Sequence, residues 1–231
     1  MDLKMFLSVL AVAVLGFVGI YLLLPEEVND GVVRLPWQAE IDDQGRNRAF
    51  GFTLGETRLS DVRAVFGEEG KLSLFAQPAD GTYAVEAYFS QIYLNRLRAD
   101  FVMNLVVDQD TLAEMYERGL RISQLGSGAK RVTLDPDDAK RLADHPIRGI
   151  TYLPWKSLDA EIIERRFGPP AERATEEKTG VTHWLYPDRG LDIGLDPRGG
   201  VVIQYVNPTD FAALTTPLRA EPVAPATDPA E

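Results

Sequence analysis

From Met5 to Leu24, "MFLSVLAVAVLGFVGIYLLL", the chain carries no charged side chain. A helix of that length reaches roughly 30 Å, the thickness of a bilayer's hydrocarbon core. The run is longer than the apolar stretch of a cleavable signal peptide, and it ends in Leu-Leu-Leu-Pro-Glu-Glu, a poor cleavage site. The pattern therefore predicts a transmembrane anchor over 1–25. Lys4 precedes the span, while Glu26, Glu27 and Asp30 follow it. The positive-inside rule then places the N-terminus in the cytoplasm. In a bacterium the chain would sit in the inner membrane as a single-pass protein with its soluble part in the periplasm. Residues 26–48 are polar and turn-rich, the composition of a tether.

Beyond the tether the period of the apolar positions changes. In "LGETRLSDVRAVFG", Leu59, Val62, Val65 and Phe66 fall on one helical face, and Gly67 supplies the usual left-handed stop. Strand-like runs follow at Lys71–Phe75 and Thr82–Phe89, and Phe101, Met103, Leu105 and Val107 then alternate at period two. Gln109–Gly119 returns to helical spacing. "DPDDAKRLADH" predicts another helix, with Asp135 as cap, Pro136 in the first position and Asp137 and Asp138 against the dipole. The grammar then repeats. Leu158, Ile162, Ile163 and Phe167 share a helix face closed by Gly168, and Pro169 and Pro170 forbid continuation. Three strands follow, carrying Thr182/Trp184/Tyr186, Leu191/Ile193/Leu195 and Val201/Ile203/Tyr205, with "PDRG" and "DPRGG" as turns. Helix, Phe-Gly, strands thus occurs twice.

The expected fold class is α+β: an N-terminal transmembrane helix, then two related helix-plus-antiparallel-meander repeats packed together. The repeats span 49–125 and 126–214, the second including the connecting helix. The tail, 215–231, is rich in Pro and Ala and predicts disorder.

Two stretches resemble a known family. Gly55, Asp61, Val62 and Gly67 match the helix motif of the small BamE/SmpA domain of the outer-membrane assembly machinery. Trp184, Tyr186, Asp196, Gly199 and Val201 match its later strands. The tandem arrangement also resembles the β-lactamase-inhibitor-protein architecture. The resemblance implies a domain that binds other envelope proteins through one face. BamE proteins are lipoproteins, however, and this chain has no cysteine to lipidate, so the family's outer-membrane role is not implied.

Composition narrows the chemistry. The 231 residues carry a formal net charge of −11, which repels phosphate backbones and argues against nucleic acid as a partner. The absence of cysteine removes disulfides, thiol nucleophiles and Cys-ligated metals. The two histidines, His145 and His183, read as a cap or surface residue and as a strand packing residue. Neither sits in a metalloprotease, nucleophile-elbow or P-loop motif. Asp188, Asp192 and Asp196 recur at spacing four, but glycine and proline interrupt them. "DPDD" lacks the spacing of a calcium loop.

In "IYLNRLRADF", Tyr93, Arg96 and Arg98 stand among apolar residues of an otherwise acidic chain. Arginine and aromatics are favoured interface anchors, so these three are the candidate partner-binding residues. The expectation is a non-catalytic scaffold of the cell envelope that binds another envelope protein and uses no cofactor and no metal. Two alternatives stay open: a membrane-anchored carboxylate-dependent hydrolase, and a periplasmic glycan- or lipid-binding module.

Overall fold

In the computed structural model, residues 34–77, 81–126 and 128–219 are described. In chain order the elements are β1 (Glu40–Ile41), β2 (Asn47–Ala49), β3 (Phe52–Thr53), α1 (Leu59–Phe66), β4 (Lys71–Ala76), β5 (Tyr83–Leu94) and β6 (Leu97–Leu105). Then come α2 (Gln109–Glu117), β7 (Arg121–Gln124), β8 (Lys130–Thr133), α3 (Pro136–Arg141), β9 (Ile147–Pro154) and α4 (Ala160–Phe167). The chain continues through β10 (Glu172–Thr175), β11 (Thr182–Tyr186), β12 (Leu191–Leu195), β13 (Val201–Tyr205) and α5 (Phe211–Arg219).

Where the local signals are strong, the elements follow them. Gly67, at φ 67°, closes α1 by returning its N–H to the Arg63 carbonyl. Asp108, Asp135 and Asp159 cap α2, α3 and α4 by accepting backbone N–H groups of Thr111, Asp137 and Ile162. Asp138, in the first turn of α3, does more than face the helix dipole. Its buried carboxylate accepts Arg118 Nε at 3.1 Å and Nη2 at 3.0 Å, a forked pair that ties α3 to the end of α2.

The strands pair into one antiparallel sheet of ten, in the order β10-β11-β12-β13-β9-β6-β5-β4-β8-β7, with β1-β2-β3 as a separate small sheet. This overturns the expected α+β pair of repeats behind a transmembrane helix: the protein is mostly β, with five short helices among the described residues. The physical reason lies in β9. It pairs with β6 on one side, Phe101 opposite Tyr152, and with β13 on the other, Ile203 opposite Tyr152. Backbone hydrogen bonding therefore runs unbroken across the middle, where packing of two separate units was expected. No helix among the described residues is long and apolar enough to cross a membrane. The longest span nine residues, about 14 Å, half of what a hydrocarbon core requires. That corrects the membrane-spanning, single-pass description for this part of the chain. The segment 5–24, to which the span was assigned, lies outside the described residues.

Strand alternation gives the sheet two unlike faces. One buries Val85, Ala87, Phe89, Phe101, Met103, Ile150, Tyr152, Ile193, Ile203 and Tyr205, with Leu59 and Val62 of α1 and Ile163 and Phe167 of α4 in the same core. Phe50 enters this core from an unusual position. Ala49 pairs with Phe52, so Phe50 and Gly51 form a two-residue turn, and both have positive φ (55° and 80°). That is the type I′ pattern, in which a bulky residue is disfavoured. The Phe50 ring is buried against Phe101 (5.1 Å between centroids), Tyr152 (5.2 Å) and Tyr205 (5.4 Å). Tyr205 donates its hydroxyl to the Pro36 carbonyl at 2.7 Å, holding the residues before β1 on the same core.

Candidate functional site

Four of the large apolar side chains that are exposed among the described residues lie on the sheet's other face. Tyr88, Tyr93, Trp155 and Val202 are 41, 59, 51 and 36% exposed. Register sets their order. Across the strands Lys71 stands opposite Tyr88, Tyr88 opposite Val102, Val102 opposite Thr151, and Thr151 opposite Gln204. Tyr93 stands opposite Arg98 on the β5–β6 hairpin, and Trp155 leaves the end of β9, its backbone N–H bonded to the Arg98 carbonyl.

Arg98 is the centre of this patch. Its guanidinium lies 3.4 Å from the centroid of the Trp155 ring and 5.5 Å from that of Tyr93, close enough for cation–π attraction to both. Its Nη2 donates to the Gln91 side-chain carbonyl. Asp100, two residues on, holds the rest in place. It accepts the Trp155 indole N–H at 2.9 Å, the Tyr88 hydroxyl at 2.9 Å and the Gln91 backbone N–H at 2.8 Å. Partial burial works to raise the Asp100 pKa, but these three hydrogen bonds and the Arg98 charge bring it below the ordinary carboxylate value. Donating to the Asp100 carboxylate is the largest reason the Tyr88 hydroxyl titrates above its usual range. Gln91 reaches Asp100 because the β5–β6 ladder shifts register between Phe89 and Ile92, where Gln91 takes φ 58°.

Of the three residues singled out from the sequence, the structure brings Tyr93 and Arg98 into contact. Arg96 lies at the hairpin tip instead. Leu94 pairs with Leu97, so Asn95 and Arg96 form the turn, at φ 47° and 65°. Asparagine suits that geometry; the position Arg96 holds is one that glycine fills most cheaply. Trp155, Tyr88 and Asp100 escaped sequence reasoning. Each looks like an ordinary strand or turn residue until β9 is laid beside β6.

A second polar cluster lies on β11 and β12. His183 Nδ1 is 2.9 Å from Asp192 Oδ2, and Nε2 is 3.3 Å from Glu176 Oε1. Glu176 also accepts the Thr179 hydroxyl. Asp192 is buried, and His183 is largely so. The hydrogen bond to Asp192 is the chief reason the His183 pKa is raised; burial opposes it, and Glu176 adds to it. Both ring nitrogens face carboxylates on opposite edges of the imidazole. With a carboxylate on each ring nitrogen, the arrangement favours the protonated imidazolium. Among the described residues no group of three His, Asp or Glu side chains is placed to hold a metal ion. Asp188, Asp192 and Asp196 serve different ends. Asp188 is exposed in a turn, Asp192 binds His183, and Asp196 is held down to about 2 chiefly by its hydrogen bonds with Arg198. His145 Nδ1 lies 2.8 Å from the Val106 carbonyl, a hydrogen bond to backbone 39 residues away in the chain.

The His183 cluster gives stability a pH dependence of definite sign. A histidine whose folded pKa is raised contributes fully below its unfolded value, about 6.5, and loses that contribution as pH rises through the folded value. Glu176 is held below its ordinary value, most by the Thr179 hydrogen bond, and loses its share only as pH falls through that lowered value. The cluster therefore stabilises most between about pH 5 and 6.5 and less by pH 8.5. Thermal melts at pH 6 and 8.5 are expected to differ more for the native chain than for His183→Gln. Equal differences would show that His183 stays neutral in the fold.

No protein-family model, no curated protein and no solved structure matches this chain.

Proposed function

We propose that the chain is a non-catalytic binding module that recruits another protein of the bacterial cell envelope through the open face of its sheet. One observation carries the reading: the Tyr93–Arg98–Trp155 stack, whose Trp155 ring is hydrogen-bonded by Asp100. Aromatic and arginine side chains are the residue types that dominate binding energy in protein interfaces. Rings and a guanidinium held in place by hydrogen bonds lose little freedom on binding, so less affinity is spent on ordering them. The likeness of Gly55–Gly67 and of the Trp184–Val201 hairpins to BamE/SmpA motifs supports the same class of activity.

The test is site-directed photocrosslinking in the native host. A benzophenone amino acid at Val202, on the open face, is expected to capture one partner in near-stoichiometric yield. Arg98→Glu should abolish the capture, and the same probe at Ile122, on the edge strand β7, should capture nothing. Equal capture at both positions, or capture indifferent to Arg98→Glu, defeats the proposal. Arg96→Gly separates binding from folding at the hairpin tip. It keeps the left-handed turn but relieves its steric cost, about 1–2 kcal/mol for a residue with a side chain, so it is expected to raise the melting temperature slightly while lowering capture several-fold. Capture that stays at the native level would show that Arg96 takes no part in docking.

A further inference from the structure

We infer that β10 is a proton-operated flap: the charged imidazole of His183 fastens it to the sheet, and loss of that proton lets it open from β11. This goes beyond the binding reading above and does not depend on it.

β10 is lightly held. It is an edge strand that pairs with β11 alone, and none of its residues, Glu172–Thr175, is buried. Segments with so few buried contacts are the first to open. Side-chain contacts therefore matter to it more than to a central strand. Arg173 lies over the Trp184 ring, 4.3 Å from its centroid. The Thr175 and Thr182 hydroxyls meet at 3.2 Å. Glu176, in the turn that follows, reaches His183 Nε2 at 3.3 Å. An open β10 bares the backbone edge of β11, on which another strand can form.

A proton decides the last of these contacts. On the ladder His183 stands opposite Ala174 and Gly194, neither of which carries a charge. Charge reaches the ring from two sides, Asp192 of β12 at Nδ1 and Glu176 at Nε2. Glu172 stands on the same face of β10 opposite Leu185, Glu177 and Lys178 are exposed in the turn, and Gln204 of β13, opposite Asp192, is neutral. A neutral imidazole keeps one proton and one lone pair. The Asp192 side chain is 3% exposed and that of Glu176 35%, and leaving the buried carboxylate without its donor costs more. The remaining proton therefore stays on Nδ1, against Asp192. Nε2 then turns a lone pair to the Glu176 carboxylate, and attraction becomes repulsion.

The test is amide hydrogen exchange on the full-length chain, a pH unit below and a pH unit above the midpoint of the His183 ring titration read by NMR. Protection is corrected for the intrinsic pH dependence of exchange. The Ala171 and Glu176 amides, bonded to the Leu185 and Val181 carbonyls, report the two ends of β10. Their protection is expected to fall about tenfold across the midpoint, while that of Tyr152 and Ile203 in the middle of the sheet stays within about twofold. In Glu176→Gln the side-chain amide can donate to the Nε2 lone pair, so β10 is expected to stay protected at the higher pH. In His183→Gln the protection of both ends is expected to be the same at the two pH values. Native protection unchanged across the midpoint, an equal fall throughout the sheet, a Glu176→Gln chain that opens like the native one, or a His183→Gln chain that still responds to pH would each overturn the inference.

Discussion

Replacing Phe50 with alanine is expected to destabilise the fold by about 3–5 kcal/mol, the usual cost of deleting a buried aromatic ring. For a domain of this size that moves the melting temperature by on the order of 10 °C. Phe50 is nearly inaccessible and packs edge-on to Phe101 and Tyr205 and obliquely to Tyr152. Each such ring pair adds about 0.5–1.5 kcal/mol beyond the area it buries. The three partners come from β6, β9 and β13, the strands at the middle of the sheet, so the vacated space cannot close without moving the strands that join its two halves. The backbone at Phe50 works the other way, since a left-handed conformation there is unfavourable for a bulky side chain. Phe50→Asn separates the two effects, because asparagine tolerates positive φ but cannot fill the core. If ring packing dominates, both variants lose stability alike. A melting temperature within about 2 °C of the native value for Phe50→Ala would mean the ring contributes nothing.

Trp184→Ala is the second large effect, again about 3–5 kcal/mol. Trp184 is buried on β11 between Arg173 of β10 and Ile193 of β12, with the Arg173 guanidinium 4.3 Å from its ring centroid. It lies near the end of the sheet rather than its middle, so local opening has a shorter way to go. Hydrogen exchange is expected to speed first in β10–β12 and only later in β5, β6 and β9. Because β9 joins both halves into one ladder, equilibrium unfolding of either variant should remain a single transition. An unchanged melting temperature would remove Trp184 from the core, and two separated transitions would show that the sheet's halves unfold independently.

How much of this could be read beforehand depends on the range over which each signal acts. Helix caps are decided within four residues, and Asp108, Asp135, Asp159 and Gly67 behave as their neighbours dictate. Alternation places Phe101, Met103, Ile193 and Ile203 on a buried face because successive strand side chains must point opposite ways. The candidate site was half legible. Tyr93 and Arg98 stand out as an aromatic and a cation in an acidic chain. Trp155, which stacks on Arg98, and Asp100, which holds Trp155, lie 55 residues apart in the chain and carry no local mark. His183 looked like a packing residue because neither Glu176 nor Asp192 is distinctive by spacing.

The amino-acid order alone therefore determines helices α1 to α4, the faces of the alternating strands, the acidic character and the absence of thiol chemistry, since each follows from near neighbours or from composition; it does not give α5, whose residues 215–219 read as tail. Only the tertiary structure decides that β9 lies between β6 and β13, that the strands form one ten-stranded sheet, and that the rings of Tyr93 and Trp155 flank Arg98. Backbone hydrogen bonds between strands are the same whatever the side chains, so a strand's pattern shows which way it faces and leaves its partners to be settled by the packing of the whole chain.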